Sequence, residues 1–567
     1  MQIDKIYYFL KIIARLFAYV HFLLYLCTKF GFFENTIRFM KKIYFLLLLF
    51  LALSLQAQER VMLIADPHVL ASSLVEEGTA FDNMLQQQRK MLDLSEAAFC
   101  ALVDTALQHK PDLVLIPGDL TKDGEIASHE VVVAQINKLL AAGINVLAIP
   151  GNHDIGGTAY AYRGAETVAV ETLADNAWES TYDMIYSQAL AKDPASHSYV
   201  AEPLRGVTVL GIDASHNDGE GYLSDESLAW ILAQADAAKE KGNMVLAMCH
   251  WQVLEHVDDG GVIAEVSARL QAADTVRDAL MAHGVRMLLT GHVHINSIST
   301  YRDTTGLTND SIIEVSTGST ITYPCPYRWL TIAEDRSSVA IHTAELATLP
   351  GHDDLTTYSR DWMAEHVKVL LPVLSVRLYN KAEAVMTTKV EEVLASVPMG
   401  SMLISMFKNT LPQTDEEKIA LVDKHFASTM VDMYLLHSAA NEPQHAEADS
   451  LAQAMYAGID AMIHELTDAV LKSMANVQDA MIALVQNMNR PAIQSLVEDR
   501  THWATPYSDL TDDLMGQWVI NEAIPYSAVE NVTNAAADGV IYDILGRRVA
   551  DTTQHGIYIQ NGKKFIK

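Results

Sequence analysis

The sequence predicts an α/β domain of layered sheets and helices, followed by an all-α helical domain and a short β tail. From about 58 to 350, short apolar runs such as "RVMLIA" and "NMVLAMC" alternate with amphipathic stretches, a pattern typical of α/β layers. From 351 to 525 the strand-like runs stop and long helical patterns replace them. The last segment, 526–567, begins with a polar linker and continues with glycine-punctuated, β-rich runs.

Composition limits the classes of partner. Half of the 567 residues are hydrophobic, enough for a large packed core in more than one domain. The formal net charge of −31 argues against binding to a nucleic-acid backbone, which requires a basic surface. A small anionic substrate stays open because bound metal ions can reverse the local field. The four cysteines match neither a disulfide framework nor a zinc finger, and the oligomeric state is left undefined.

The N-terminal region predicts export. The stretch "MKKIYFLLLLFLALSLQAQE", which starts at Met40, has two lysines, an apolar run and a small residue at Ala57, so we expect 40–57 to be a signal peptide. Residues 1–39 are either an upstream mis-translation or one or two membrane helices. We expect the first, because a signal pattern rarely follows another apolar segment. The mature chain would then lack a stable membrane span and be extracytoplasmic: periplasmic, at the cell surface or secreted.

The helical domain contains one strong periodic pattern. Apolar residues recur at steps of three and four from Met455 to Met488, which predicts one helix with one apolar stripe. Pro491 is expected to end this helix. A methionine-rich stripe is more typical of a core than of a binding groove.

Polar side chains follow five apolar strands of the first domain. In a parallel sheet those strand ends lie on one edge, where sites are built. The stretch "IPGNHDIGG" could by itself be only a turn, but five such endings are hard to explain as turns alone. The residues at these ends are Asp66 and His68, Asp119, Asn152 with His153 and Asp154, His250, and His292 with His294.

The types of these residues indicate metal chemistry. Asp, Asn and His without cysteine suit Mn, Fe, Zn, Co or Mg rather than a thiolate site. Seven candidate ligands are too many for one ion, whereas two ions that share a bridging carboxylate use them naturally. A pair of metal ions can clamp the attacking and leaving oxygens of an in-line displacement.

The ordered set resembles the calcineurin-like metallophosphoesterase superfamily, whose motifs run D-x-H, G-D, G-N-H-D/E, H and G-H-x-H. All five stand here in order, and the resemblance covers residues 60 to about 345. It implies a four-layer αββα sandwich, in which two β-sheets are flanked by helices. It also implies two divalent or trivalent metal ions and hydrolysis of a small phosphate ester by in-line attack of metal-bound hydroxide.

The same resemblance implies a role for each residue by its position in the motifs. His153 would protonate the leaving oxygen or stabilise the phosphorane, and Asp154 would orient His153. The implied ligands are Asp66, His68 and His294 for the first metal, Asn152, His250 and His292 for the second, and Asp119 as the bridging carboxylate.

Three departures bear on the substrate. Lys122 stands where purple acid phosphatases carry a tyrosine ligand, and Asp154 stands where protein Ser/Thr phosphatases usually have Glu. The surrounding pattern is most similar to the bacterial cyclic-nucleotide-phosphodiesterase-like branch, although Trp251 replaces a histidine that is frequent there. The resemblance therefore implies a phosphodiesterase. The alternatives are a broad phosphomonoesterase or nucleotidase, or a surface binding or scaffold protein that retains the metal fold.

The C-terminal tail carries a second resemblance. The runs "YDILGRRV" and "GIYIQNGKK" are similar to the end of the sorting domains found in Bacteroidetes. That resemblance implies export through the type IX system, with a solvated β tail as the alternative.

Overall fold

The structure, a computed structural model, describes most of the chain beyond residue 58. The predicted signal peptide (40–57) and the stretch 1–39 lie outside the described residues. In the described part no helix has both the length and the apolar character to cross a bilayer. The described residues are 59–215, 221–256, 269–302 and 311–497, except 335, 337, 397, 440–445 and 473, together with 517–521, 541–543, 548–549, 557–560 and 563–566.

The first sheet contains the first three of the five strands predicted to end in ligands. Its order is β16-β15-β14-β1-β3-β4, with β1, β3 and β4 parallel to one another and β14 and β15 antiparallel. The edge strand β16 comes from the 351–525 region and pairs with β15. The strands are β1 Glu59–Leu63, β3 Leu113–Pro117, β4 Asn145–Ile149, β14 Pro326–Ile332, β15 Ser338–Glu345 and β16 Gln517–Asn521.

The second sheet has the order β12-β13-β11-β10-β9-β8-β7. Strands β9, β10, β11 and β13 are parallel. Strand β13 is antiparallel to β12 and parallel to β11. The strands are β7 Ala189–Lys192, β8 Tyr199–Leu204, β9 Val207–Ile212, β10 Met244–Cys249, β11 Met287–Thr290, β12 Ser297–Arg302 and β13 Ser311–Ser316.

Alternating side chains of the parallel strands face two different cores. Leu246 and Met248 of β10 join residues of the first sheet in one buried cluster, whereas Val245 and Ala247 pack against two helices on the outer face. Period-two alternation of this kind places one core between the sheets and one beneath the helices. The predicted αββα sandwich is therefore confirmed. Its helices are α1 Thr79–Leu85, α2 Ser95–His109, α3 Ile126–Ala141, α4 Trp178–Thr181, α5 Asp183–Tyr186, α6 Asp225–Glu240 and α7 Ala273–Ala282.

Two smaller sheets complete the β structure. One has the order β2-β5-β6, formed by Val75–Glu76, Ala159–Arg163 and Glu166–Val170. The other, in the tail, has the order β18-β17-β19-β20, with bounds Arg548–Val549, Ile541–Asp543, Ile557–Gln560 and Lys563–Ile566. The described pieces of the tail are thus strands.

The 351–525 region differs from its prediction in two respects: it contributes the strand β16 to the first sheet, and its long apolar stripe does not lie on one helix. The apolar stripe from Met455 to Met488 belongs to two helices, and the chain runs through Pro491 to the end of the second. The prediction of one helix that ends at Pro491 was wrong, because both helices bury their stripe in the same core and the periodicity continues across the bend. The helices are α8 Leu355–His366, α9 Leu371–Leu394, α10 Gly400–Lys408, α11 Asp415–Ala439, α12 Ala446–Leu471 and α13 Ala475–Val497.

Candidate metal centre and active site

The seven predicted ligands, which follow five strands of two different sheets, form two adjacent groups. In the first group, one donor atom from each of Asp66, His68, Asp119 and His294 lies within 4.8 Å of all the others. The Nε2 atoms of His68 and His294 are 2.9 Å apart, and Nε2 of His294 lies 3.5 Å from Oδ1 of Asp66. Three imidazole or carboxylate donors and a shared carboxylate thus surround one point.

The second group gathers around the side-chain amide of Asn152. Its Oδ1 lies 3.0 Å from Nε2 of His250 and 3.0 Å from Nδ1 of His292. The other ring nitrogen of His250, Nδ1, donates a hydrogen bond to the carbonyl of Pro117 at 2.9 Å. This bond fixes the tautomer that leaves Nε2 available as a ligand, the arrangement common for metal-binding histidines.

Asp119 lies between the two groups. Its Oδ2 is 3.3 Å from Nε2 of His68, and its Oδ1 is 3.3 Å from Nε2 of His250. The carboxylate is almost fully buried. Burial disfavours its charge, but His250 and His68 outweigh this effect and hold the pKa of Asp119 well below its usual value. One charged carboxylate therefore offers one oxygen to each group.

The backbone at these strand ends is held in an unusual conformation. Five of the seven predicted ligands have a positive φ between 41° and 66°, a region that non-glycine residues rarely adopt and that costs about 1–3 kcal/mol per residue. Such strain persists only where the surrounding structure enforces it. These residues are Asp66, His68, Asp119, His292 and His294.

Two glycines allow the ligand loops to approach each other. A Cβ on Gly151 would lie 2.2 Å from Oδ1 of Asp119, and a Cβ on Gly291 would lie 2.2 Å from Oδ2 of Asp66. Neither distance is tolerable for a side chain. The glycine of G-N-H-D and the first glycine of G-H-x-H are therefore required by the close packing of the ligands themselves.

The donor set fits the metal ions that the motifs imply. The donors are carboxylate and amide oxygens and imidazole nitrogens, which suit hard and borderline ions. Oδ2 of Asp66 is buried and has no hydrogen-bond partner in the described part of the chain. A buried, unpartnered carboxylate oxygen is costly, and a bound cation at the first group would satisfy it.

The structure corrects the predicted role of Asp154. Its buried carboxylate does not contact the ring of His153; it accepts hydrogen bonds from the backbone amides of Leu120, Thr121 and Gly151 at 2.8–3.1 Å. Burial and the charge of Asp119 raise the pKa of Asp154 to about 7. Asp154 thus ties the loop after β3 to the loop after β4, because these amides lie closer to it than the imidazole does.

The carboxylate that orients His153 is Asp123. Its Oδ1 lies 3.1 Å from Nδ1 of His153, and Lys122 contacts its other oxygen. Burial opposes the charge, but the hydrogen bond with His153 and the charge of Lys122 lower the pKa of Asp123. The ring of His153 lies beside that of His68, with centroids 4.9 Å apart. Sequence reasoning missed Asp123, although it lies only four residues after the predicted bridging ligand Asp119.

Lys90 is a second residue that sequence reasoning missed. It is half-buried in the loop between α1 and α2, and its Nζ lies 3.5 Å from Nδ1 of His68. Burial lowers the pKa of Lys90, while the charges of Asp119 and Asp123 oppose that change. No motif marks this position, because the loop reaches the site only through the tertiary fold.

The loops of the second group are also held from within the core. Glu314 on β13 is fully buried and accepts hydrogen bonds from the amides of Val253 and Leu254 at 3.0 and 2.6 Å and from the hydroxyl of Thr290 at 2.9 Å. One carboxylate therefore joins the segment after His250 to the strand end before His292.

Trp251 covers the second group. Its ring lies over the imidazole of His292, with centroids 3.8 Å apart, and its Nε1 donates to the hydroxyl of Ser215 at 3.1 Å. The position that often holds a second histidine in the branch named above thus carries a packing residue here.

Comparison with known proteins agrees with this geometry. Residues 59–296, which include all seven predicted ligands, match the family model described as calcineurin-like phosphoesterase. The chain is 25% identical to a "Probable cyclic nucleotide phosphodiesterase" of Rhodococcus erythropolis over 196 aligned residues. The aligned segment covers 34% of this chain and 54% of that relative. The chain thus spans about half the length of this curated relative.

Solved structures give a looser likeness. A dimetal phosphatase from Danio rerio superposes with a TM-score of 0.36 at 15% identity, over 51% of this chain and 97% of that one. The purple acid phosphatase PPD1 of Lupinus luteus superposes with a TM-score of 0.31 at 13% identity, over 51% of this chain and 52% of that one. A putative 5'-nucleotidase of Staphylococcus aureus superposes with a TM-score of 0.28 at 10% identity, over 54% of this chain and 59% of that one. At these scores the superpositions carry no argument of their own.

Residues 59–296 therefore match a calcineurin-like phosphoesterase domain, and metal-dependent hydrolysis of phosphate esters is the class of activity that this match supports. It agrees with the predicted class of enzyme.

Proposed function

We propose that this domain is an exported dinuclear phosphodiesterase that acts on small phosphodiesters, cyclic nucleotides among them. The observation that carries the dinuclear part is Asp119, whose two oxygens lie near His68 and near His250 respectively. The diester part is supported by the similarity to the Rhodococcus relative, which is described as a probable cyclic nucleotide phosphodiesterase. Bound at the two groups, divalent ions would supply Lewis acidity and a hydroxide nucleophile near neutral pH.

The residues around the ions have separate tasks in this proposal. His153 holds a proton for the leaving oxygen, because its Nδ1 is paired with Asp123 and Nε2 is the nitrogen left to face the substrate. Asp154 keeps the loops after β3 and β4 together. Trp251 packs on the face of His292 and limits its motion and its access to water.

A second candidate is the hydrolysis of phosphomonoesters. Lys90 favours it, because a lysine beside His68 adds positive charge where a dianionic phosphate would bind. Export remains part of the proposal through the signal-like segment 40–57 and the sorting-like tail. The scaffold alternative is disfavoured because all seven ligand positions hold competent side chains.

The test is a comparison of two esters by the purified protein loaded with Mn²⁺. Hydrolysis of bis-p-nitrophenyl phosphate faster than p-nitrophenyl phosphate would support a phosphodiesterase, and the reverse order would favour the monoester candidate. Asn152→Ala should lose nearly all turnover and metal at the second group. Full turnover by Asn152→Ala would refute the dinuclear assignment, and metal-bound protein without turnover of either ester would favour the scaffold.

A further inference from the structure

We propose that Lys90 is a specificity residue of this site, which binds the phosphoryl group and gives the enzyme activity on dianionic phosphomonoesters as well as on diesters. This inference rests on the proposed phosphoester hydrolysis, and it assigns to the helical region a part in substrate selection.

The position of the ammonium group is the first argument. Nε2 of His68 faces His294 and Asp119, so Nδ1, 3.5 Å from Nζ of Lys90, is the ring nitrogen turned away from the donor cluster. Lys90 therefore lies at the edge of the His68 ring that faces away from the donor cluster, and the ring separates the ammonium from the place where a cation would bind. In this proposal a substrate phosphate at the first group extends past the ring of His68 to reach the ammonium.

The charge around Lys90 is the second argument. In the part of the chain that the structure describes, Lys90 forms no ion pair with a carboxylate, whereas the nearby Lys122 is paired with Asp123. Because no carboxylate pairs with this half-buried ammonium in the described residues, a bound anion would stabilise its positive charge. A monoester dianion carries one more negative charge on the phosphate than a diester monoanion, and it gains more from a nearby cation.

The third argument is that the loop of Lys90 is held from both sides. The amide of Met91 donates to the carbonyl of Ile321 at 2.9 Å. On the other side, Arg89 donates to the hydroxyl of Tyr434 on α11, and its guanidinium lies 5.7 Å from the centroid of that ring. The helical region thus fixes the residue next to Lys90, so the ammonium is positioned in advance.

The test uses the full chain loaded with Mn²⁺. Lys90→Met should lower kcat/KM for p-nitrophenyl phosphate by about 10-fold or more, since a hydrogen bond to a charged group is lost. For bis-p-nitrophenyl phosphate the loss should stay below about 3-fold. Lys90→Arg should keep most of the monoester activity. Lys389→Met, which removes one positive charge from α9, should change neither rate.

A binding measurement accompanies these rates. Calorimetric titration should show that Lys90→Met weakens the affinity for inorganic phosphate by about 10-fold and leaves that for dimethyl phosphate nearly unchanged. Equal losses for both esters and both ligands, or no loss at all, would overturn the proposal. If the unaltered protein cleaved neither ester, the proposed function would fail, while the phosphate titration would still decide the role of Lys90.

Tyr434→Phe tests the contribution of the helical region. Without the hydroxyl that Arg89 contacts, monoester activity should fall by about 2- to 5-fold, with diester activity unchanged. Monoester activity equal to that of the unaltered protein would refute the link to α11.

Discussion

The sandwich and the helical region use buried space in opposite ways. At the strand ends of the sandwich, Asp66, Asp119, Asp154 and His250 are almost fully buried, and several neighbours adopt strained backbone. The core of the helical region is mainly apolar; it also buries uncharged side chains such as Thr467 and Gln478, and the charged pair of Lys424 with Glu465 lies on the surface. Buried carboxylates and strained ligand backbone are thus features of the strand ends, and the helical region depends mainly on packing.

This contrast predicts where substitutions will act. Those that touch the strand ends should lower activity more than stability, and those in the helical core should lower stability more than activity. The three predictions below test the contrast, from the largest expected effect to the smallest.

Asp123→Asn should reduce kcat by about 10²-fold or more, because it weakens the hydrogen bond that orients the ring of His153. Steady-state rates with either nitrophenyl ester measure this, and Mn²⁺ content should stay at the level of the unaltered protein. Asp154→Asn is the matched comparison, since it alters the carboxylate that bridges two loops. If Asp154→Asn changed the pH dependence of kcat and Asp123→Asn did not, the assignment of Asp123 would be contradicted.

Met462→Ala should destabilise the helical region by about 2–5 kcal/mol, because it removes a buried side chain from a packed core. Met462 is 1% exposed. Urea unfolding followed by circular dichroism measures the loss. Esterase rates under native conditions should change less than about 2-fold if the two regions divide their tasks as described. A loss of turnover as large as that of Asp123→Asn would contradict the division.

The free energy of unfolding of the sandwich should decrease as the pH is lowered, because His129 of α3 is buried in its neutral form. Its ring bonds to the hydroxyl of Tyr182 at 2.7 Å and to the carbonyl of Asp154 at 2.9 Å, and burial lowers its pKa to about 4. Because this pKa lies below the unfolded value of about 6.5, the unfolded chain binds the proton first. The contribution of His129 is complete above about pH 6.5 and declines as pH falls toward 4.

The corresponding measurement is the urea midpoint at pH 7.5 and pH 5. His129→Gln should narrow the difference between the two midpoints by an amount equivalent to about 2 kcal/mol. His283→Gln, which alters a partly exposed histidine directly after α7, serves as control. If His129→Gln left the difference between the two urea midpoints unchanged, His129 would not be the source of the pH dependence of stability.

The sequence predicted the alternation of strand and helix and the five polar strand endings. It also predicted that these endings converge, because parallel strands bring their carboxyl ends to one edge of a sheet. The order of the five motifs, through the family that it resembles, predicted the sandwich and the seven metal ligands that the structure brings together. Local pattern also predicted that the 351–525 region is helical.

Only the tertiary structure decided which carboxylate pairs with His153, where the long apolar stripe bends, and that Lys90 reaches the site. Asp123 and Asp154 are equally able to bond an imidazole, and the choice depends on which amides already hold Asp154. The apolar residues from Met455 to Met488 keep their spacing of three and four between α12 and α13, because both helices face one core. Lys90 is placed by contacts with Ile321 and, through Arg89, with Tyr434, which are distant in the chain, and no local pattern encodes such contacts.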